Sequence, residues 1–306
     1  VLDPRDYLVK LPPWPHADDA IPFRARTVTL PSGEQIAHYD EGSGPVVLMI
    51  HGNPTSKDLW RHLIGPVSRS HRVLAPDLMG SQRQARHPDP LTREGDTLLA
   101  FVDAVAGQDV DVAVVAHDWG VAVAADLVRR APGRIRAVAF CEGLLYPVTL
   151  ADYDFVTWFL ARVLQVPVLS RLLLIELNLF LRVFMPLGCR RRMTPASRAR
   201  YAARYPDRGA REQIWRWVQT VPGHAGHPYH SRLIASREAL LSSTIPKLFF
   251  FGHPGFSMSP RTTADVRARG KNVDACDLGA GVHYFMEDEP DLMLAQLLPW
   301  LKRVVS

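Results

Sequence analysis

Cysteine is scarce in this chain. Only Cys141, Cys189 and Cys276 occur in 306 residues, odd in number and without CxxC spacing, which argues against a disulfide framework or a structural zinc site and fits a reducing, cytoplasmic setting. A long uninterrupted apolar run is missing too. The leucine-rich stretch 163–185 is broken by Pro167, Arg171, Glu176, Asn178 and Arg182, whereas a membrane span needs about 20 mostly apolar residues; a buried amphipathic helix pair is expected there, and no membrane partner. The first five residues show no charged-then-apolar leader pattern. Internal repeats and low-complexity tracts are absent. The formal net charge of +5 comes largely from arginine, with Arg190, Arg191 and Arg192 near Arg198, Arg200 and Arg204, but neither a patch patterned for nucleic acid nor a known binding module is evident there. A solvated helical face is expected there, and no nucleic-acid partner.

What the chain does contain is an alternation of apolar strands and amphipathic helices. Arg26 to Leu30, the turn Pro31-Ser32-Gly33 and Gln35 to Tyr39 read as a hairpin. Apolar strands follow at Val46–Ile50, His71–Ala75, Val114–Ala116, Ile135–Phe140, Ile245–Phe251 and Val273–Leu278, with helices around Thr97–Val105, Val121–Arg130 and Asp291–Val304. Strands that are apolar throughout imply a mostly parallel sheet covered on both faces, an α/β fold. From Pro147 to about Gly223 the alternation stops and helices follow one another. The expected organisation is an α/β core in two parts, 1–146 and 225–306, with a helical lid over 147–224 on the side where ligands bind.

Val114-Val115-Ala116-His117-Asp118-Trp119-Gly120-Val121-Ala122 reads as a nucleophile elbow, a strand turning sharply into a helix with small residues where the two arms approach. The presented residue is Asp118. A carboxylate suits displacement at a saturated carbon and leaves an ester that water opens later, whereas a hydroxyl or thiol suits acyl transfer. The bland alternative is that Asp118 merely caps the helix.

Opening an ester takes a base, and His283 lies after the last strand, where a hydrolase sheet presents one. His117 is expected to point the opposite way from Asp118, and His51 to serve its own loop. The base needs an orienting carboxylate. Gly252 to Pro260 contains no acid, while the preceding strand ends Phe140-Cys141-Glu142-Gly143, which makes Glu142 the better candidate over the reading of it as an ordinary loop acid. Backbone N–H groups of Trp119 and of the Asn53 loop are expected to form an oxyanion hole. The indole of Trp119 and the amide of Asn53 add two neutral donors, which suit a large, weakly basic leaving anion such as a halide without pairing with Asp118 as a cation would.

With His51 to Ser56, Leu59-Trp60-Arg61, His117 to Gly120, Glu142, Pro254-Gly255-Phe256 and His283 to Asp291 assembled, the chain resembles the haloalkane dehalogenases of the α/β-hydrolase superfamily from about Phe23 to its end, in the branch with an Asp-His-Glu triad. The resemblance implies an eight-stranded sheet, Asp118 as nucleophile, His283 as base with Glu142, and halide held by Asn53 and Trp119. It also implies a halogenated hydrocarbon, halide and water as partners, and no metal or organic cofactor. Phe180, Phe184 and Phe256 match positions lining the family's pocket. A monomer or weak homo-oligomer is expected. Met79 to Ala85 departs from the family's Gly-rich continuation, and the lid is unusually arginine-rich. Alternatives on the same scaffold are an epoxide hydrolase, for which Tyr153, Tyr201 and Tyr205 are candidate acids, a coelenterazine-type luciferase, and a ligand-binding receptor without turnover.

Overall fold

The computed structural model describes residues 10–14, 21–78, 90–108, 110–151 and 153–305; the departure at Met79 to Ala85 lies outside them. Eight strands form one sheet: β1 (Arg26–Thr29), β2 (Gln35–Glu41), β3 (Val46–Ile50), β4 (Arg72–Pro76), β5 (Val112–His117), β6 (Ile135–Cys141), β7 (Lys247–Pro254) and β8 (Val273–Gly281). Their spatial order is β1-β2-β4-β3-β5-β6-β7-β8, antiparallel through β2–β4 and parallel from β4 to β8. β3 and β5 are buried at every residue because helices cover both faces. Alternate residues of β5 divide between the two layers: Val112, Val114 and Ala116 join one core cluster, Ala113 and Val115 the other. β8 is the edge strand, and it meets solvent with Asp274 and Asp277.

The first core layer is closed by α2 (Pro90–Ala106) and α3 (Trp119–Arg130), the second by α1 (Arg61–Ser68) and the C-terminal α12 (Pro290–Val304). Between β6 and β7 the described elements are helical, apart from an isolated bridge between Arg191 and Leu11: α4 (Phe155–Leu164), α5 (Pro167–Arg171), two π-helical turns (Leu172–Glu176 and Phe180–Phe184), α6 (Met185–Gly188), α7 (Pro195–Ala203), α8 (Arg208–Gln219) and α9 (His230–Ser242). The remaining helices among the described residues are a 3-10 turn (Lys57–Trp60), α10 (Pro260–Arg269) and the single turn α11 (Phe285–Asp288).

Several sequence expectations are displaced. The helix expected over Thr97–Val105 begins already at Pro90, and β7 and β8 run three residues further, to Pro254 and Gly281. The larger correction concerns 163–185, expected as a buried helix pair. The chain breaks there, with Pro167 in the first turn of α5 and Asn178 at φ 52, so no helix is long enough to keep one apolar stripe inward. Leu174, Ile175, Leu181 and Met185 are buried, but Val166, Val168, Leu169, Leu172, Leu177 and Val183 are exposed.

Candidate active site

β5 ends at His117 and α3 begins at Trp119, so Asp118 alone makes the turn, at φ 54 and ψ −122. Such a backbone is costly for a residue with a Cβ and persists only where the surroundings enforce it. They do so through small neighbours: a Cβ on Gly120 would collide with the Ile50 carbonyl oxygen, and one on Gly52 with the Asp118 side chain. Asp118 makes no cap hydrogen bond to α3. Its Oδ1 instead accepts the Asn53 backbone N–H at 2.8 Å, and the Trp119 backbone N–H also reaches the carboxylate. Burial pushes the Asp118 carboxyl up from its ordinary pKa, with His283 and the two N–H groups acting the other way.

His283 is buried, with Nε2 3.8 Å from Asp118 Oδ2 and Nδ1 3.2 Å from Glu142 Oε2. Because a carboxylate only accepts, Nδ1 carries the proton of the neutral ring and Nε2 keeps its lone pair toward Asp118. Glu142 follows β6 at φ 46 and is fully buried. Its Oε2 also accepts the N–H groups of Phe256 at 2.9 Å and Ser257 at 2.7 Å. The turn that aims these donors needs Gly255, at φ 70, where a Cβ would meet the Met258 carbonyl oxygen and Glu142 Oε1.

Trp119 is buried with its ring centroid 4.6 Å from that of Trp217, and among the described residues its indole N–H has no hydrogen-bond partner. Asn53 Nδ2 donates to the Ile214 carbonyl at 3.3 Å, a long bond that uses one of its two hydrogens, while Oδ1 is buried without a partner. A cavity of about 10 Å³ opens between these groups, lined by Asn53, Trp119, Trp217, Tyr205, Gln213, His51, Gly52 and Leu78, and Asp118 lies outside its wall. That is room for one water-sized sphere.

Of the three phenylalanines expected at a pocket, Phe256 is partly exposed and sets its ring edge-on to His283 with centroids 5.7 Å apart. Phe180 and Phe184 meet each other edge to face at 5.8 Å and pack on a small cluster with Leu164, Leu174 and Val218. His51 accepts the Leu78 N–H at Nε2 and donates from Nδ1 to the Gly52 carbonyl, as expected of a residue that serves its loop; burial pushes its pKa down to about 4. Among the described residues, no group of three or more His, Cys, Asp or Glu converges as a metal site.

A family model described as the alpha/beta hydrolase fold matches residues 45–253. A haloalkane dehalogenase of Mesorhizobium japonicum is 35% identical, with 96% of this chain and 95% of that protein covered. The chain belongs to the haloalkane dehalogenase family. A second relative, the haloalkane dehalogenase of Sphingobium indicum UT26, is 30% identical over 93% of this chain and 98% of its own. Among solved structures, the haloalkane dehalogenase DatA from Agrobacterium tumefaciens C58 superimposes with a TM-score of 0.82 at 28% identity, covering 95% of this chain and all of that one. DbeA from Bradyrhizobium elkani gives 0.84 at 27% identity over 92% and 98%.

Two supports of this dehalogenase-family site went unread in the sequence. His117 does not simply point away: its Nε2 donates to the His283 carbonyl at 3.1 Å and its ring lies 4.5 Å from the His283 ring, with burial first and then His283 holding it well below the ordinary histidine pKa. Placement in the elbow was the signal for it. The Gly188 carbonyl accepts the N–H groups of both His283, at 2.9 Å, and Tyr284, at 3.2 Å. A backbone acceptor has no residue-type signature, so nothing in the sequence pointed to it.

Proposed function

We propose that the protein hydrolyses haloalkanes to alcohol, halide and a proton through an alkyl ester on Asp118. Asp118 Oδ2 attacks the halogen-bearing carbon; the new C–O bond forms as the C–halogen bond breaks, and the halide leaves with the bonding pair. Trp119 Nε1 and Asn53 Nδ2 take the halide as neutral donors. Water then attacks the ester carbonyl carbon while His283 Nε2 accepts its proton, and Glu142 stabilises the resulting imidazolium. The oxyanion develops on Oδ1, against the Asn53 and Trp119 backbone N–H groups. Collapse breaks the acyl C–O bond, the departing oxygen takes the proton held by His283 and leaves as the alcohol, and loss of the remaining carboxyl proton to solvent restores the Asp118 carboxylate.

The observation that supports this reading most is the orientation of His283. Its proton is committed to Glu142 and its lone pair faces Asp118 Oδ2, the oxygen opposite the one that accepts the Asn53 backbone N–H. Residues 147–224 act as a lid, a reading supported by the succession of helices described between β6 and β7, and in this reading Phe180, Phe184 and Phe256 line the substrate pocket. An epoxide hydrolase would need free tyrosines. Tyr153 donates to the Ser257 carbonyl at 2.6 Å and Tyr201 to Glu287 at 2.6 Å, which leaves Tyr205 on the cavity wall. Purified protein is expected to release halide and alcohol from 1,2-dibromoethane and 1-iodobutane and to leave styrene oxide and coelenterazine unchanged. Asp118→Ala should abolish halide release; release that survives it overturns the reading.

A further inference from the structure

Among the described residues thirteen large apolar side chains are exposed, and eleven of them fall between Leu150 and Leu187. Val168 is 82% exposed, Val156 73% and Phe155 64%, and the rings of Phe155 and Phe159 stack with centroids 6.0 Å apart on the outside of α4. Scattered surface apolar residues need no explanation, but a concentration on consecutive helices marks a surface that meets something apolar.

Charge decides what the surface meets. Residues 150–192 contain six arginines, at 162, 171, 182, 190, 191 and 192, against three acidic residues, Asp152, Asp154 and Glu176. Glu176 is already paired with Arg208, and Arg171 with Glu212, whereas Arg162, Arg182 and Arg192 are exposed and, among the described residues, pair with no carboxylate. A twofold contact with a second copy would bring this arginine-rich rim against itself, an arrangement that repels. Anionic headgroups above an acyl boundary complement both features at once. Phe155–Leu164 and Pro167–Glu176 are together as apolar as a membrane span, but they bend by 88° at the break and no single helix is long and apolar enough to cross.

We infer that the outer side of α4, α5 and the following turn rests on an anionic lipid surface, with Phe155, Phe159 and Val168 in the acyl boundary and Arg162, Arg182 and Arg192 at the headgroups. The inference goes beyond dehalogenation and does not depend on it, since its test reads binding alone. The full chain is floated with vesicles of phosphatidylcholine containing phosphatidylglycerol, and with phosphatidylcholine alone. Flotation with the mixed vesicles at low salt is expected, weakened by high salt and nearly lost without phosphatidylglycerol. Arg162→Gln and Arg182→Gln should each lower the partition coefficient about fivefold. Val168→Glu with Phe155→Ser should abolish flotation with an unchanged Tm, since both side chains are exposed. Absence of flotation at low salt overturns the inference. So does flotation that the Val168→Glu, Phe155→Ser variant retains, or light scattering that shows a dimer dissolved by those substitutions while vesicles stay unbound.

Discussion

Glu142 is fully buried, and the groups around its Oε2 are the backbone N–H groups of Phe256, Ser257 and, more distantly, Met258, and the imidazole of His283, none of them a fixed cation. Backbone dipoles thus hold a carboxylate in the interior without neutralising its effect on His283. Glu142→Gln keeps the shape but removes the charge that stabilises the imidazolium, and it offers an NH₂ where donors converge. Ester hydrolysis should fall about 10²–10⁴-fold while ester formation is little changed. Pre-steady-state kinetics would then show a burst of halide; equal slowing of both steps would contradict the assignment. At this scale the convergence of Asp118, Glu142 and His283 was legible because each sits at the carboxyl end of a strand or in the loop after it, whereas Asn53 and Trp119 stand out by residue type, as neutral donors. The support from His117 was half legible, since the histidine was noticed but its direction depends on packing. The Gly188 carbonyl was illegible, because every residue has one.

At the scale of elements, β7 is fixed at its start by Lys247, which is fully buried and donates to the carbonyls of Ser243 at 2.7 Å, Ile245 at 3.0 Å and Lys271 at 2.8 Å. Burial pushes this ammonium down to about 8, against ~10.4 in an unfolded chain. The folded chain releases the proton first, so unfolding takes one up between those values and stability rises with pH from about 8 to ~10.4. Lys247→Met should flatten that rise in urea midpoints measured across the window and lower stability at every pH by leaving three carbonyls unpaired; a rise of the same slope would assign it to other groups. The strands were legible because burial on both faces demands continuous apolar runs, as in Val46–Ile50. The helices at 155–188 were legible as helices but not in how they pack. Breaks at Pro167 and Asn178 divide the apolar residues between an inner and an outer side, and a one-dimensional pattern does not say which is which.

For the molecule as a whole, a buried ion pair inside the core is the anchor that the helical insertion reaches through Tyr201. Arg61 on α1 donates two bonds of 2.6 Å to Glu287 on α11, and Tyr201 on α7 donates to the same carboxylate at 2.6 Å. Burial of Glu287 is outweighed by Arg61, so its pKa is held below the ordinary carboxylate range. Glu287→Gln would strand the guanidinium and should cost about 3–5 kcal/mol, seen as a lower Tm; a loss under ~1 kcal/mol would mean that the pair does not tie the layers. These contacts and the Gly188 bridge hold His283 over Asp118, and the account turns on what passes between those two residues. The direct test is the intact mass of the His283→Phe variant after exposure to 1-iodobutane. One butyl group should appear on the protein, map to Asp118 and persist, because formation of the ester needs no base and its hydrolysis does. An unmodified mass, or an adduct that also forms on Asp118→Ala, would contradict the account.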